Sequence, residues 1–150
     1  MTNFQPLMEE LLERTSASRT TLRIDDEPGV EFPIKAEALA PGIGSIAGDP
    51  TLRVRVSATF QWVDRERRVL VQEDLLEADP APAPQLVEKY GARAQMLAPV
   101  ERGGEVVGLV SVHYAPGPRQ WTDEEVAAVE EIVERVVREL ASRNEPPAQP

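Results

Sequence analysis

The sequence predicts a single α+β domain, and three observations carry that reading. Apolar residues recur at helical spacing near both ends, stretches between them alternate apolar with polar residues, and a Gly-Gly pair joins two such stretches. A chain of 150 residues is long enough to bury one continuous core. With 41% hydrophobic and 28% charged residues, it has the balance of a globular protein rather than a disordered one. The folded domain is expected over residues 5–143, with a flexible lead at 1–4 and a disordered, proline-rich tail at 144–150.

Leu7, Met8, Leu11 and Leu12 sit at helical spacing between acids, and Pro6 suits a first turn, so residues 5–15 read as a short amphipathic helix. Leu22 and Ile24 alternate with Arg23 in a strand that ends at the turn formers Asp25 to Gly29, and Phe32 and Ile34 begin another short extended piece. From Ala36 to Thr51, glycine and proline interrupt any period, which predicts a long loop or a broken helix. The lysine of a phosphate-binding Gly-x-x-x-x-Gly-Lys loop is missing there.

Leu52, Val54 and Val56 alternate with Arg53 and Arg55, and Phe60 and Trp62 continue the pattern, so a strand over 52–62 is expected to form a hairpin with 68–72 across the charged turn at Asp64 to Arg67. The arginines at 65, 67 and 68 interleave with acids and read as a solvated turn. Three prolines stiffen residues 79–84, and a helix starts near Pro84 and ends at Gly91. The pair Gly103-Gly104 tolerates the positive φ of a tight hairpin between 93–100 and 105–114. Thr122 with Glu125 forms a capping box for a long helix, one of whose faces is lined by Val126, Val129, Ile132, Val133, Val136, Val137 and Leu140.

Composition excludes several functions. The 26 acids against 16 bases give a net charge of -10, which opposes approach to a phosphate backbone, so no nucleic-acid partner is expected. No apolar run approaches the roughly 20 residues that span a bilayer. The first residues carry no basic region of the secretory type. No membrane association is therefore expected, and a cytoplasmic location is. Without cysteine there is no thiolate nucleophile and no sulfur ligand. A single histidine, His113, rules out a site within one chain that needs two imidazoles. No metal or cofactor is expected.

The stretch from Ala94 to Tyr114 ends one strand in Pro99-Val100, crosses Glu101-Arg-Gly-Gly-Glu105, and re-enters through Gly108 and alternating aliphatic residues. With Arg119-Gln-Trp121-Thr-Asp-Glu-Glu125 before the last helix, it resembles the GAF domain family. The resemblance covers residues 5–141 in element order, with its residue-level support in 94–141. It implies a central antiparallel sheet with the N- and C-terminal helices on one face and a ligand pocket on the other, roofed here by residues 36–92. Family members that attach a bilin, or that reduce methionine sulfoxide, use cysteines this chain lacks, and the motif of the cyclic-nucleotide-binding members cannot be laid onto it.

Equal spacing about Gly103-Gly104 would oppose Arg102 to Glu105, Met96 to Ser111 and Gln95 to Val112. Leu109, Ser111 and His113 share one face of their strand; Val110, Val112 and Tyr114 share the other. Candidate ligand-binding residues are Trp62 and Tyr90, which can stack on a planar molecule, Gln72, Asp74 and Gln95 at or near strand ends, and Ser111 and His113. Ser111 and His113 also invite a nucleophile and base with Asp74 as the carboxylate, but side chains at i and i+2 stand ~7 Å apart. The adjacent Glu73 and Asp74 point to opposite faces and form no metal cage. Three functions follow. The leading one is a regulatory or sensor module that binds an unidentified small organic ligand and is more a binder than an enzyme. The others are an acid-base enzyme on the same fold and a pocketless, partner-binding homodimer joined through its terminal helices.

Overall fold

A computed structural model describes residues 4–144. The expected disorder at 1–3 and 145–150 lies outside the described residues. Five strands form one antiparallel sheet: β1 (Arg19–Ile24), β2 (Ile34–Leu39), β3 (Leu70–Gln72), β4 (Ala94–Arg102) and β5 (Glu105–Tyr114), in the spatial order β2-β1-β5-β4-β3. Helices α1 (Gln5–Thr15) and α4 (Asp123–Asn144) pack on one face, while α2 (Ala58–Glu66) and α3 (Pro84–Glu88) flank the other.

The main core forms between the first face and the two terminal helices. Leu22, Met96, Val110 and Val112 point there from the sheet, and meet Met8 and Leu11 of α1 and Val129, Ile132 and Val136 of α4. Each is fully buried, at about 1.5–3 kcal/mol for a large aliphatic side chain. Phe4, expected in the flexible lead, is instead buried in this core, with the Arg143 guanidinium 4.2 Å from its ring centroid. The capping box forms as its spacing predicts: Glu125 N–H donates to Thr122 Oγ1 at 3.1 Å, and Thr122 N–H to Glu125 Oε1 at 2.9 Å. Glu10 of α1 pairs with Arg135 of α4 at 2.8 Å.

Three expectations are corrected. Residues 52–62 are not a strand: a turn-rich segment leads into α2, whose Ser57 Oγ accepts from Phe60 N–H at 3.2 Å. Thr59, Phe60 and Val63 then bury one helical face, which outweighs the local alternation of Phe60 with Trp62. Its supposed hairpin partner, β3, pairs with β4 instead. The segment expected as a loop from Ala36 begins inside β2, which pairs with β1 through Leu39. Finally, the Gly-Gly turn does oppose Arg102 to Glu105, but an irregularity between Val100 and Glu101 moves every later pair by one. Gln95 therefore faces His113, Leu97 faces Ser111 and Ala94 faces Tyr114.

Candidate ligand-binding site

The shifted register lines up polar residues across the face turned away from α1 and α4. One row runs Gln72, Gln95, His113 and Arg19 across β3, β4, β5 and β1; the next runs Leu70, Leu97, Ser111 and Thr21; Leu109 pairs with Arg23 in a third. Two apolar clusters cover this face. Phe32, Val54, Phe60 and Val63 sit over Leu70, Leu97 and Leu109, while Leu75, Leu86 and Ala92 form a separate cluster.

A cavity of about 70 Å³ remains among these layers. Arg23, Gln95, Ser111 and His113 line its floor, Phe60 and Leu86 contribute from the two helices, and Ile46, Leu52 and Val54 from the connecting loop. The face carrying Leu109, Ser111 and His113 is thus the one turned to the cavity.

Polar groups fix this floor. Arg19, itself buried, donates through Nη1 to His113 Nδ1 at 3.1 Å, and through Nε and Nη2 to the Gly44 carbonyl at 3.1 and 2.7 Å. Because a guanidinium can only donate, His113 Nδ1 accepts and the neutral ring carries its proton on Nε2. Burial, reinforced by the charges of Arg19 and Arg23, pushes the His113 pKa down to about 3. Gln95 Nε2 donates to Gln72 Oε1 at 2.8 Å, and Gln72 Nε2 to the Pro80 carbonyl at 2.7 Å.

The roof is fastened at two places. Glu37 of β2 accepts from Ser45 Oγ and from Ile46 N–H, the latter at 3.0 Å. Asp49 accepts from Thr51 N–H at 2.8 Å and Thr51 Oγ1 at 2.6 Å, and binds Lys89 Nζ at 2.9 Å and the Tyr90 hydroxyl. These donors, Thr51 foremost, hold the Asp49 carboxyl far below the usual carboxylate range. The Tyr90 ring lies 5.5 Å from the Arg19 guanidinium carbon, so the loop, the end of α3 and the sheet meet around one cation.

The predicted site residues divide. Gln95, Ser111 and His113 line the cavity; Gln72 stands behind Gln95 as its hydrogen-bond acceptor. Tyr90 belongs to the roof fastening rather than to the lining. Trp62 does not reach the cavity, because α2 turns it outward under Arg68, whose guanidinium carbon lies 4.8 Å from the ring centroid. Asp74 is also elsewhere: it accepts from Leu76 N–H at 3.1 Å in the turn after β3 and faces Arg93 at 3.9 Å. The expectation missed Arg19 and Arg23. Charged residues alternating with Leu22 and Ile24 look solvent-facing in a sequence, although here that side of the strand is covered.

A family model described as GAF domain matches residues 2–140, and the chain belongs to that family. Among solved structures, it is similar to the blue-light-absorbing form of the Thermosynechococcus elongatus PixJ GAF domain, at 21% identity and TM-score 0.71 over 93% of this chain and 84% of the other. GAF3 from Slr1393 of Synechocystis sp. PCC6803 aligns at 18% identity and TM-score 0.71, covering 95% and 97%. A far-red-absorbing dark state with bound biliverdin IXa aligns at 16% identity and TM-score 0.71, covering 95% and 89%. These likenesses show the fold. No curated protein matches the sequence.

Proposed function

We propose that this GAF domain is a regulatory module that binds a small organic molecule between its sheet and the roof formed by the 40–57 loop, α2 and α3. The observation that carries this reading is the cavity itself, in which placed polar groups on a rigid sheet floor face apolar residues of the helices and loop. The bilin-bound relative supports occupancy of this fold by an organic ligand. A covalent thioether to a chromophore has no residue to form it here, since the chain contains no cysteine. The output is a change in how the roof packs, passed to a partner chain in the cytoplasm.

The enzyme reading draws little from the geometry. A general base works best with a pKa near the operating pH, and His113 lies far below it, with Nδ1 already engaged by Arg19. Asp74, its supposed carboxylate partner, does not line the cavity. Homodimerisation through the terminal helices belongs to the same proposal: Val133 and Val137, one turn apart on α4, are only half buried and lie beside Pro99 in a shallow surface depression.

Native mass spectrometry of the purified protein, joined to thermal-shift screening of aromatic and heterocyclic metabolites, tests the binding function. A co-purifying molecule, or one that stabilises by about 2.7 kcal/mol at a hundredfold excess over its Kd, is the expected result. No retained molecule and no stabilisation across the screen would overturn it.

A further inference from the structure

The two arginines on the covered face of β1 are set apart by what they lack. Arg19 and Arg23, four residues apart on one strand, have no carboxylate within 4.0 Å among the described residues. Arg119, also largely buried, does have one, Glu125. Arg19 spends its donors on Gly44 and His113, whereas the Arg23 side chain has one donor bond among the described residues, Nη1 to the Phe32 carbonyl at 2.9 Å, and lines the cavity. Burial lowers the pKa of both, opposed by Glu37 at longer range, with Tyr90 acting on Arg19 and Glu31 on Arg23. A guanidinium nevertheless stays charged in a protein, so the floor holds cationic charge that the chain neutralises only at a distance. Thr21, between them on the same side of the strand, is fully buried and its hydroxyl has no hydrogen-bond partner among the described residues. Neutral His113, opposite Arg19, keeps its proton on Nε2, a donor with no intramolecular acceptor among the described residues, and Ser111, opposite Thr21, adds a hydroxyl; both line the cavity with Arg23.

Every one of these groups offers protons, and none brings a negative charge. In a protein of net charge -10, general electrostatics would repel an anion, so a cationic floor is a local, specific feature. Apolar side chains make up much of the surrounding wall, Leu97 and Leu109 below and Phe60 and Leu86 above, with Arg53, Ser57 and Thr59 as its polar members.

We propose that the cavity takes a small carboxylate with an apolar body, its anionic group bound by Arg23 on the floor that Ser111 and His113 also line. The planar fork of Arg23 matches both carboxylate oxygens, and the apolar body replaces water against Leu97, Leu109 and Phe60. This inference rests on the binding function proposed above and names the class of ligand for that site.

The test uses the full chain and matched pairs differing only in charge: benzoate with benzamide, phenylacetate with phenylacetamide, and isovalerate with isovaleramide, titrated calorimetrically and by thermal shift. At least one acid is expected to bind at least about tenfold more tightly than its amide, the scale of one charge-assisted hydrogen bond. Arg23→Gln is expected to bring acid and amide to comparable affinity, abolishing that preference, and Arg23→Lys to retain part of it. Equal binding of acid and amide, binding of amides alone, or an acid preference that survives in Arg23→Gln would overturn the carboxylate assignment and leave the binding module standing. If no pair binds, the carboxylate assignment falls; if in addition no molecule co-purifies and nothing in the metabolite screen stabilises the protein, the binding module falls with it. Because the wild-type acid-to-amide ratio already decides the question of charge, a poorly folding variant does not remove the test.

Discussion

His113 shows how one side chain can be read for both stability and chemistry. Its pKa is about 3 in the folded protein against 6.5 for a free imidazole, so between these values the unfolded chain binds a proton that the native state refuses. This contribution to stability is complete above pH 6.5 and is lost as the pH falls. Between pH 6.5 and pH 5, above most carboxylate titration, the loss should be about 1.5 kcal/mol. Urea unfolding at both pH values is expected to show it in the wild type and not in His113→Gln, whose carbonyl oxygen can still accept from Arg19; an equal slope in the two proteins would contradict the depressed imidazole. Gly108 is constrained by space instead. A Cβ there would lie 2.5 Å from the Arg23 carbonyl oxygen and 2.8 Å from Ile24 Cδ1, so β1 and β5 would have to separate. Gly108→Ala should cost about 1–3 kcal/mol by overpacking, measurable as a lower urea midpoint with unchanged m value. The aliphatic alternation made this glycine legible as part of a strand. The reason for it, the neighbouring strand's carbonyl, was not, because only the tertiary pairing supplies it.

At the level of elements, legibility followed the strength of the local signal. Both terminal helices, the capping box at Thr122 and the turn at Gly103-Gly104 were readable, since their periods and caps are complete within a few residues. The irregularity after Val100 was not, and it alone moved Gln95 from opposite Val112 to opposite His113, building the polar row of the site. Residues 52–62 show two competing periods: Leu52, Val54 and Val56 mimic a strand, while Ser57 followed by Thr59, Phe60 and Val63 carries a helix cap and face. The long loop that follows β2 has no period of its own, and its order comes from point fastenings, chiefly Asp49 to Thr51, Lys89 and Tyr90. Asp49→Ala should therefore loosen the roof without unfolding the sheet. Hydrogen exchange is expected to quicken at residues 43–54, with β4, β5 and α4 unaffected; uniform acceleration across the sheet would mean that the fastening supports the whole fold.

For the molecule as a whole, the two faces of the sheet divide the work. Helices α1 and α4 bury one face in a continuous core, and both helices were legible in the sequence. The other face is closed by a loop and two short helices around a space whose size could not be read from sequence, because it depends on how separate clusters meet. A cavity of about 70 Å³ holds a few water molecules, whereas pockets for drug-sized ligands run to roughly 300 Å³ or more. A ligand larger than a few heavy atoms must therefore displace part of the roof, and its apparent affinity is reduced by the fraction of molecules that are open. The sheet floor, held by backbone pairing on both sides of β1, β5 and β4, is the part least able to yield, so the roof is where the motion falls. Loosening it should raise the association rate: in stopped-flow measurements, Asp49→Ala is expected to bind an aromatic carboxylate several-fold faster than the wild type under pseudo-first-order conditions. Equal rates, together with faster exchange of the loop in the same variant, would show that ligands reach the floor without passing the Asp49 fastening.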